Sequence, residues 1–126
     1  MTARGQQSQR GAVSYHAGRA AENAVARHYG ELGYEVVAER WRGVGGEIDL
    51  IVQDAERVIF VEVKKSRSLE AAALRLNRAQ MDRICVSASE YLGQLPNGAL
   101  TEARFDVALM GATGAVKIIE NAFGEG

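Results

Sequence analysis

The chain is poor in several things, and each shortage removes a class of protein. A single cysteine, Cys85, excludes an internal disulfide and any multi-cysteine zinc site. Lying between Ile84 and Val86 in a helical stretch, it reads as a small packing residue. With one proline, Pro96, and no repeats, the sequence offers no linker that would divide it. No apolar run approaches the length of a membrane span, and Met1–Val13 lacks the apolar core of a signal peptide. The expectation is a cytoplasmic protein with no membrane partner. Nor is there an excess of positive charge: the formal net charge is −1, which does not announce a nucleic-acid binder.

What is present is better placed than the totals suggest. Among 126 residues, enough for one domain with a single core, basic residues gather locally. Arg4, Arg10, His16 and Arg19 occur with no acid between Met1 and Ala21, and Arg67, Arg75, Arg78 and Arg83 recur later. Phosphate contact needs a basic patch, not a basic total. Met1–Ser14 is polar and glycine-bearing with no hydrophobic period, so 1–14 is expected to be a disordered basic arm and 15–126 the folded domain.

Two stretches alternate by twos: Gly46-Glu47-Ile48-Asp49-Leu50-Ile51-Val52 and Val58-Ile59-Phe60-Val61-Glu62-Val63-Lys64. That period marks strands with a committed core face. The short polar segment Asp54–Arg57 between them closes a hairpin. With Ala55-Glu56 as the two-residue turn, Asp49 falls opposite Glu62 and Glu47 opposite Lys64 on one face. Ile48, Leu50 and Val52 then meet Ile59, Val61 and Val63 on the other. Opposed carboxylates destabilise a sheet unless a cation compensates them. Lys64 supplies part of one, and a divalent ion would supply the rest. Asp49 and Glu62, with waters and a phosphate oxygen, make a donor set for Mg2+ or Mn2+. Lys64 would then orient a water or hold a scissile phosphate.

These motifs resemble the YraN-like family of bacterial proteins, within the PD-(D/E)xK nuclease superfamily that includes restriction enzymes and archaeal Holliday junction resolvases. The likeness extends to Gly18-Arg19-Ala20-Ala21-Glu22, Trp41-Arg42, Arg104-Phe105-Asp106 and Asn121-Ala122-Phe123. It implies a restriction endonuclease-like α/β fold, a mixed central sheet of about five strands flanked by helices. It also implies a metal-dependent endonuclease acting on DNA, including branched or repair intermediates. By the same resemblance Glu22 of the first helix joins Asp49 and Glu62 at the metal, with Glu47 an alternative, and Gln80 enters the site from the second helix. One departure is visible: Lys65-Ser66 stand where the family continues with threonine and arginine, and Arg67 follows one place later. This touches substrate contacts and leaves the carboxylates intact.

The remaining chain fits around these motifs. A helix is expected over Tyr15–Leu32, with Ala17, Ala21, Ala24, Val25, His28 and Leu32 as its apolar stripe and His28 a packed histidine. Gly33 caps it. A strand over Tyr34–Trp41 places Val36 and Ala38 against Val37 at the opposite parity. Gly43-Val44-Gly45-Gly46 relieves a turn and lets a DNA backbone approach Glu47 and Asp49. A second helix over Leu69–Leu92 carries Leu69, Ala73, Leu76, Gln80, Ile84, Ser87 and Tyr91 on one face. Strands at Glu102–Met110 and Val116–Glu120 complete the order αβββαββ, with Asp106 a structural partner for Arg104 or Arg42. Catalysis would fall to Asp49, Glu62, Lys64 and Gln80, and phosphate contact to Arg19, Arg42, Lys65, Arg67 and Arg78. Cutting both strands of a duplex would take two copies, which makes a homodimer a candidate assembly. Two rivals remain at this stage: a non-catalytic nucleic-acid-binding module, and a subunit of a DNA-processing complex.

Overall fold

A computed structural model of the chain describes residues 9–65 and 78–122, with side chains from residue 19 onward. Helix α1 (Gln9–Glu31) is followed by strands β1 (Glu35–Gly43), β2 (Gly46–Gln53) and β3 (Val58–Lys65). Helix α2 (Arg78–Gly93) and strands β4 (Ala103–Met110) and β5 (Val116–Ile119) complete the order. The five strands form one mixed sheet in sequence order, antiparallel except for the parallel pair β3–β4. This is the expected α/β architecture. Arg67, the first part of the second helix, Phe123 and Met1–Ser8 of the arm lie outside the described residues.

Two cores show why the helices flank the sheet. Val25 and Tyr29 of α1 pack with Leu50, Val52, Ile59, Val61 and Ala108. Ile84 and Ala88 of α2 pack on the opposite face with Ile48, Ile51, Val58 and Phe60. Each fully buried aliphatic or aromatic side chain contributes about 1.5–3 kcal/mol, so neither face is decoration. The apolar half of the hairpin, Ile51, Phe60 and Val58, lies under α2, where Tyr91 meets Trp41 and Phe60 edge-on.

Several expectations are corrected. α1 begins at Gln9, so Gln9–Ser14 are helical and not part of an arm. Its buried face turns on Tyr29, fully enclosed, whereas Leu32 is 60% exposed. Leu32 falls in the terminal turn, where Gly33 (φ 99°) and the Tyr34 N–H bond to the Tyr29 carbonyl already swing the chain away. The simple parity of β1 fails because a bulge between Val36 and Ala38 shifts its register on β2. Val36 therefore joins the α1-side core while Val37 and Ala38 join the α2-side core. Ile48 also changes sides, joining Ile51 and not Leu50.

The glycine turn has a further role. A Cβ on Gly45 would collide with the Arg83 carbonyl and stand 2.8 Å from Val86 Cβ; one on Gly43 would stand 2.8 Å from Ser87 Oγ. These glycines admit α2. Ser87 Oγ donates to the Gly46 carbonyl at 2.8 Å, and the Val44 N–H donates to Glu90 Oε1 at 2.7 Å. The β1–β2 turn is thereby fastened to the helix.

Asp106 is a structural anchor. Fully buried, it accepts Arg104 Nε and Nη2 (both 2.9 Å), Tyr29 Oη (2.7 Å) and the Asn121 N–H (3.0 Å). A buried carboxylate needs such complete satisfaction. Its arginine is Arg104, not Arg42. Burial and the hydrogen bond to Asp106 push the Tyr29 hydroxyl far above its ordinary value.

Candidate active site

The β2–β3 ladder runs Gln53–Val58, Val52–Ile59, Ile51–Phe60 and Leu50–Val61, the register expected from an Ala55-Glu56 turn. There it stops, although both strands continue. β2 stays with β1 to the Gly43–Gly46 pair, and β3 stays with β4 to Lys65–Met110. The sheet forks. Into the fork turns Asp49, whose Oδ2 accepts the Val63 N–H at 2.8 Å. A side chain here takes the backbone donor, and β2 rotates at this point, which is why Ile48 changes face.

The fork holds the expected constellation. Asp49 and Glu62 lie close enough that each shifts the other's carboxyl. Gln80 Nε2 donates to Glu62 Oε2 at 2.5 Å, and Gln80 Oε1 accepts Lys64 Nζ at 2.8 Å. Lys64 Nζ also lies 3.3 Å from Glu62 Oε2. Gln80 thus links lysine and glutamate from the helix side, satisfying both ends of an amide that would otherwise be costly to place there. A pocket of about 220 Å3 opens beside them, lined by Gly45, Gly46, Glu47, Asp49, Glu62, Gln80, Arg83 and Ile84.

The electrostatics are those of acids short of cations. Burial, then the charge of Glu62, raises Asp49 to about 7, against the Val63 N–H, which lowers it. Burial also raises Glu62, opposed by the charge and hydrogen bond of Lys64. Like charges in one site resist joint ionisation, so the pair holds its last proton to a higher pH than free carboxyls do. Hard oxygen donors that resist joint ionisation suit Mg2+ or Mn2+, ions that keep several waters and need few protein ligands.

The other acids stand differently. Glu22 is buried and bound by Arg40, whose Nε reaches Glu22 Oε1 at 2.9 Å. Burial raises the Glu22 carboxyl, the Arg40 hydrogen bond lowers it, and the charges of Asp49 and Glu47 add to the rise. Glu47 is half-exposed, 3.9 Å from Arg42 Nη2. Among the described residues no three His, Cys, Asp or Glu side chains converge closely enough to hold an ion by themselves. Neither Glu22 nor Glu47 therefore closes the cluster in this conformation.

Of the phosphate candidates, Arg42 is strongly exposed beside Glu47, and Lys65 and Arg78 are exposed at the end of β3 and the start of α2. Arg19 lies 3.7 Å from Glu39. Arg83, one of the recurring arginines, lines the pocket; sequence reasoning missed Arg40. Nothing in a strand pattern singles out Arg40, because its side chain is aimed by a left-handed backbone at φ 53°. His28 packs edge-on against Tyr29, as a packed histidine should. Cys85 is half-buried, and burial followed by the nearby charge of Asp82 raises its thiol.

Residues 21–110 match the model of the uncharacterised protein family UPF0102. The chain belongs to the UPF0102 family, the YraN-like group. It is similar to a UPF0102 protein of Cereibacter sphaeroides, with 62% identity over 90% of this chain and 97% of the relative. A UPF0102 protein of Roseobacter denitrificans is 53% identical over 92% of this chain and 90% of its own length. One from Dinoroseobacter shibae is 43% identical over 89% and 84%. The family match spans β1 to β4, and so the whole fork from Arg40 to Gln80. Among the described residues no helix is long and apolar enough to cross a membrane.

Proposed function

We propose that this UPF0102 protein is a metal-dependent endonuclease that hydrolyses phosphodiester bonds of DNA, with branched or repair intermediates as its substrate class. The observation that carries the reading is the fork itself. A buried and a half-buried carboxylate and a glutamine line a small open pocket where the ladder is interrupted, with a lysine bonded to the glutamine beside it. A structural hairpin has no need to break its ladder to bury two acids together. Asp49 and Glu62 would hold Mg2+ or Mn2+, which would polarise the phosphate and lower the pKa of a bound water.

The chain's own residues do the rest. Lys64, held by Gln80 and Glu62, would position the attacking water and balance charge on the phosphoryl oxygens. Gln80 keeps Lys64 and Glu62 in register. The water oxygen bonds to phosphorus as it gives up a proton to solvent, the bond from phosphorus to the leaving sugar oxygen breaks, and that oxygen takes up a proton from solvent. Arg42, Lys65 and Arg78, with Arg19 and Arg67, supply phosphate contacts.

The test is calorimetric Mn2+ titration beside cleavage of synthetic branched DNA. Asp49→Ala and Glu62→Ala should abolish both. Lys64→Ala should keep Mn2+ affinity while cleavage falls about a hundredfold or more, the scale of a lost positioned acid–base group. Mn2+ and DNA binding without cleavage of any nucleic acid would favour a non-catalytic module. Unchanged Mn2+ affinity in Asp49→Ala would remove the site.

A further inference from the structure

The Arg40–Glu22 pair has no role in the steps above, yet it is built at some expense. Arg40 lies within β1, between the Glu39–Leu50 and Trp41–Ile48 pairs and so across from Asp49. Its φ of 53° is a conformation that residues with a Cβ rarely adopt. Strain of this kind persists where the surroundings hold a side chain to a task. Here the result is a guanidinium directed at Glu22, whose side chain is only 10% exposed, while Arg40 stays 28% exposed. Glu22 feels the charges of Asp49 and Glu47, and Glu62 feels that of Glu22, at this end of the sheet. Arg40 thus occupies the place of a counter-ion for an acid adjoining the fork.

A guanidinium fork fits a phosphate as well as a carboxylate. Arg40 is partly exposed, so a nucleic-acid phosphate reaching this end of the sheet would compete with Glu22 for it. We propose that Arg40 is a positioning residue that holds Glu22 away from the divalent ion in the free protein and releases it when a substrate phosphate takes the guanidinium. Glu22 then joins Asp49 and Glu62, so the ion is bound tightly only with substrate in place. This inference rests on the metal-dependent reading of the fork. By linkage, DNA raises Mn2+ affinity by the factor with which Mn2+ raises DNA affinity.

The experiment is a double-mutant cycle read by calorimetric Mn2+ titration of the full chain above neutral pH, with no activity required. Arg40→Gly is the chosen variant because glycine accepts the left-handed backbone freely, so the guanidinium is removed without straining β1. Arg40→Gly should raise Mn2+ affinity about tenfold, within the usual range of coupling. Glu22→Gln should change the wild type by less than about twofold yet remove most of that gain in the double variant. In a Lys64→Ala background, synthetic branched DNA should raise Mn2+ affinity in chains that keep Glu22 and not in Glu22→Gln. A gain that persists undiminished in the double variant would be a simple charge effect and overturns the proposal. So does a large loss on Glu22→Gln in the wild type, because Glu22 would already be a ligand. Wild type that takes up no Mn2+, or an Asp49→Ala variant that keeps it, sinks the nuclease reading and this inference together. Intact Asp49 dependence without coupling between positions 22 and 40 sinks this inference alone.

Discussion

Asp49 makes the metal-free protein sensitive to pH in an unusual direction. Burial and Glu62 raise its carboxyl to about 7, whereas an unfolded chain ionises near the ordinary value. Between those limits the folded state holds a proton that the unfolded state has lost, so stability falls as pH rises. At 1.36 kcal/mol per unit, the interval between pH 5 and 7 corresponds to about 2–3 kcal/mol. The groups facing Asp49 do not reverse the sign: Glu62, Glu47 and Glu22 are acids, and Lys64 is engaged by Gln80 and Glu62. Urea unfolding of the metal-free protein at pH 5 and pH 8 should therefore show a loss of about 2–3 kcal/mol at the higher pH. Asp49→Asn keeps an oxygen for the Val63 N–H and cannot ionise, so most of the loss should vanish. Saturating Mn2+ at pH 8 should restore the wild type, since a ligand of the folded state adds stability. Wild-type stability that is flat or rising between pH 5 and 8, or an Asp49→Asn variant that falls as steeply, would refute the retained-proton account.

Gly45→Ala should destabilise the fold by about 2–4 kcal/mol in urea unfolding, because α2 must retreat from the β1–β2 turn and the Ser87 and Glu90 bonds go with it. A change under about 0.5 kcal/mol would mean the turn is not fastened as described. Tyr29→Phe removes a hydroxyl bonded to a buried carboxylate and should cost about 1.5–3 kcal/mol, measured in the same way. Unchanged stability would show that Arg104 and the Asn121 N–H satisfy Asp106 without it.

The hairpin was the most legible part of the sequence. A period of two over two adjacent stretches fixed both the Leu50–Val61 register and the meeting of Asp49 with Glu62, because any slip would bury charge. Gln80 was readable for a similar reason: an amide in an apolar helical stripe must have partners. The failures share another cause. The bulge at Val36–Ala38 and the left-handed Arg40 each break strand parity, and parity was the only guide to where those side chains point. That the glycines also make room for α2 was not legible, because nothing local reveals that a helix from about forty residues downstream needs the space. Tyr29 was passed over because its burial depends on Asp106, far along the chain.

The one parallel pair in the sheet has a consequence for the order in which the fork is assembled in time. β1, β2 and β3 close on one another through short turns, so Asp49 and Glu62 can meet early. Gln80 and Arg83 belong to the crossover between Lys65 and Ala103, which is fixed only when β3 pairs with β4. Closing that long loop is the slower event, since loop entropy is lost before its contacts form. The acids are then opposed before their glutamine arrives, and an ion present during refolding finds its two ligands already together. Mn2+ should therefore quicken the folding limb of a stopped-flow chevron and not merely slow the unfolding limb. Acceleration confined to the unfolding limb would place the carboxylate pair after the barrier, with the crossover leading.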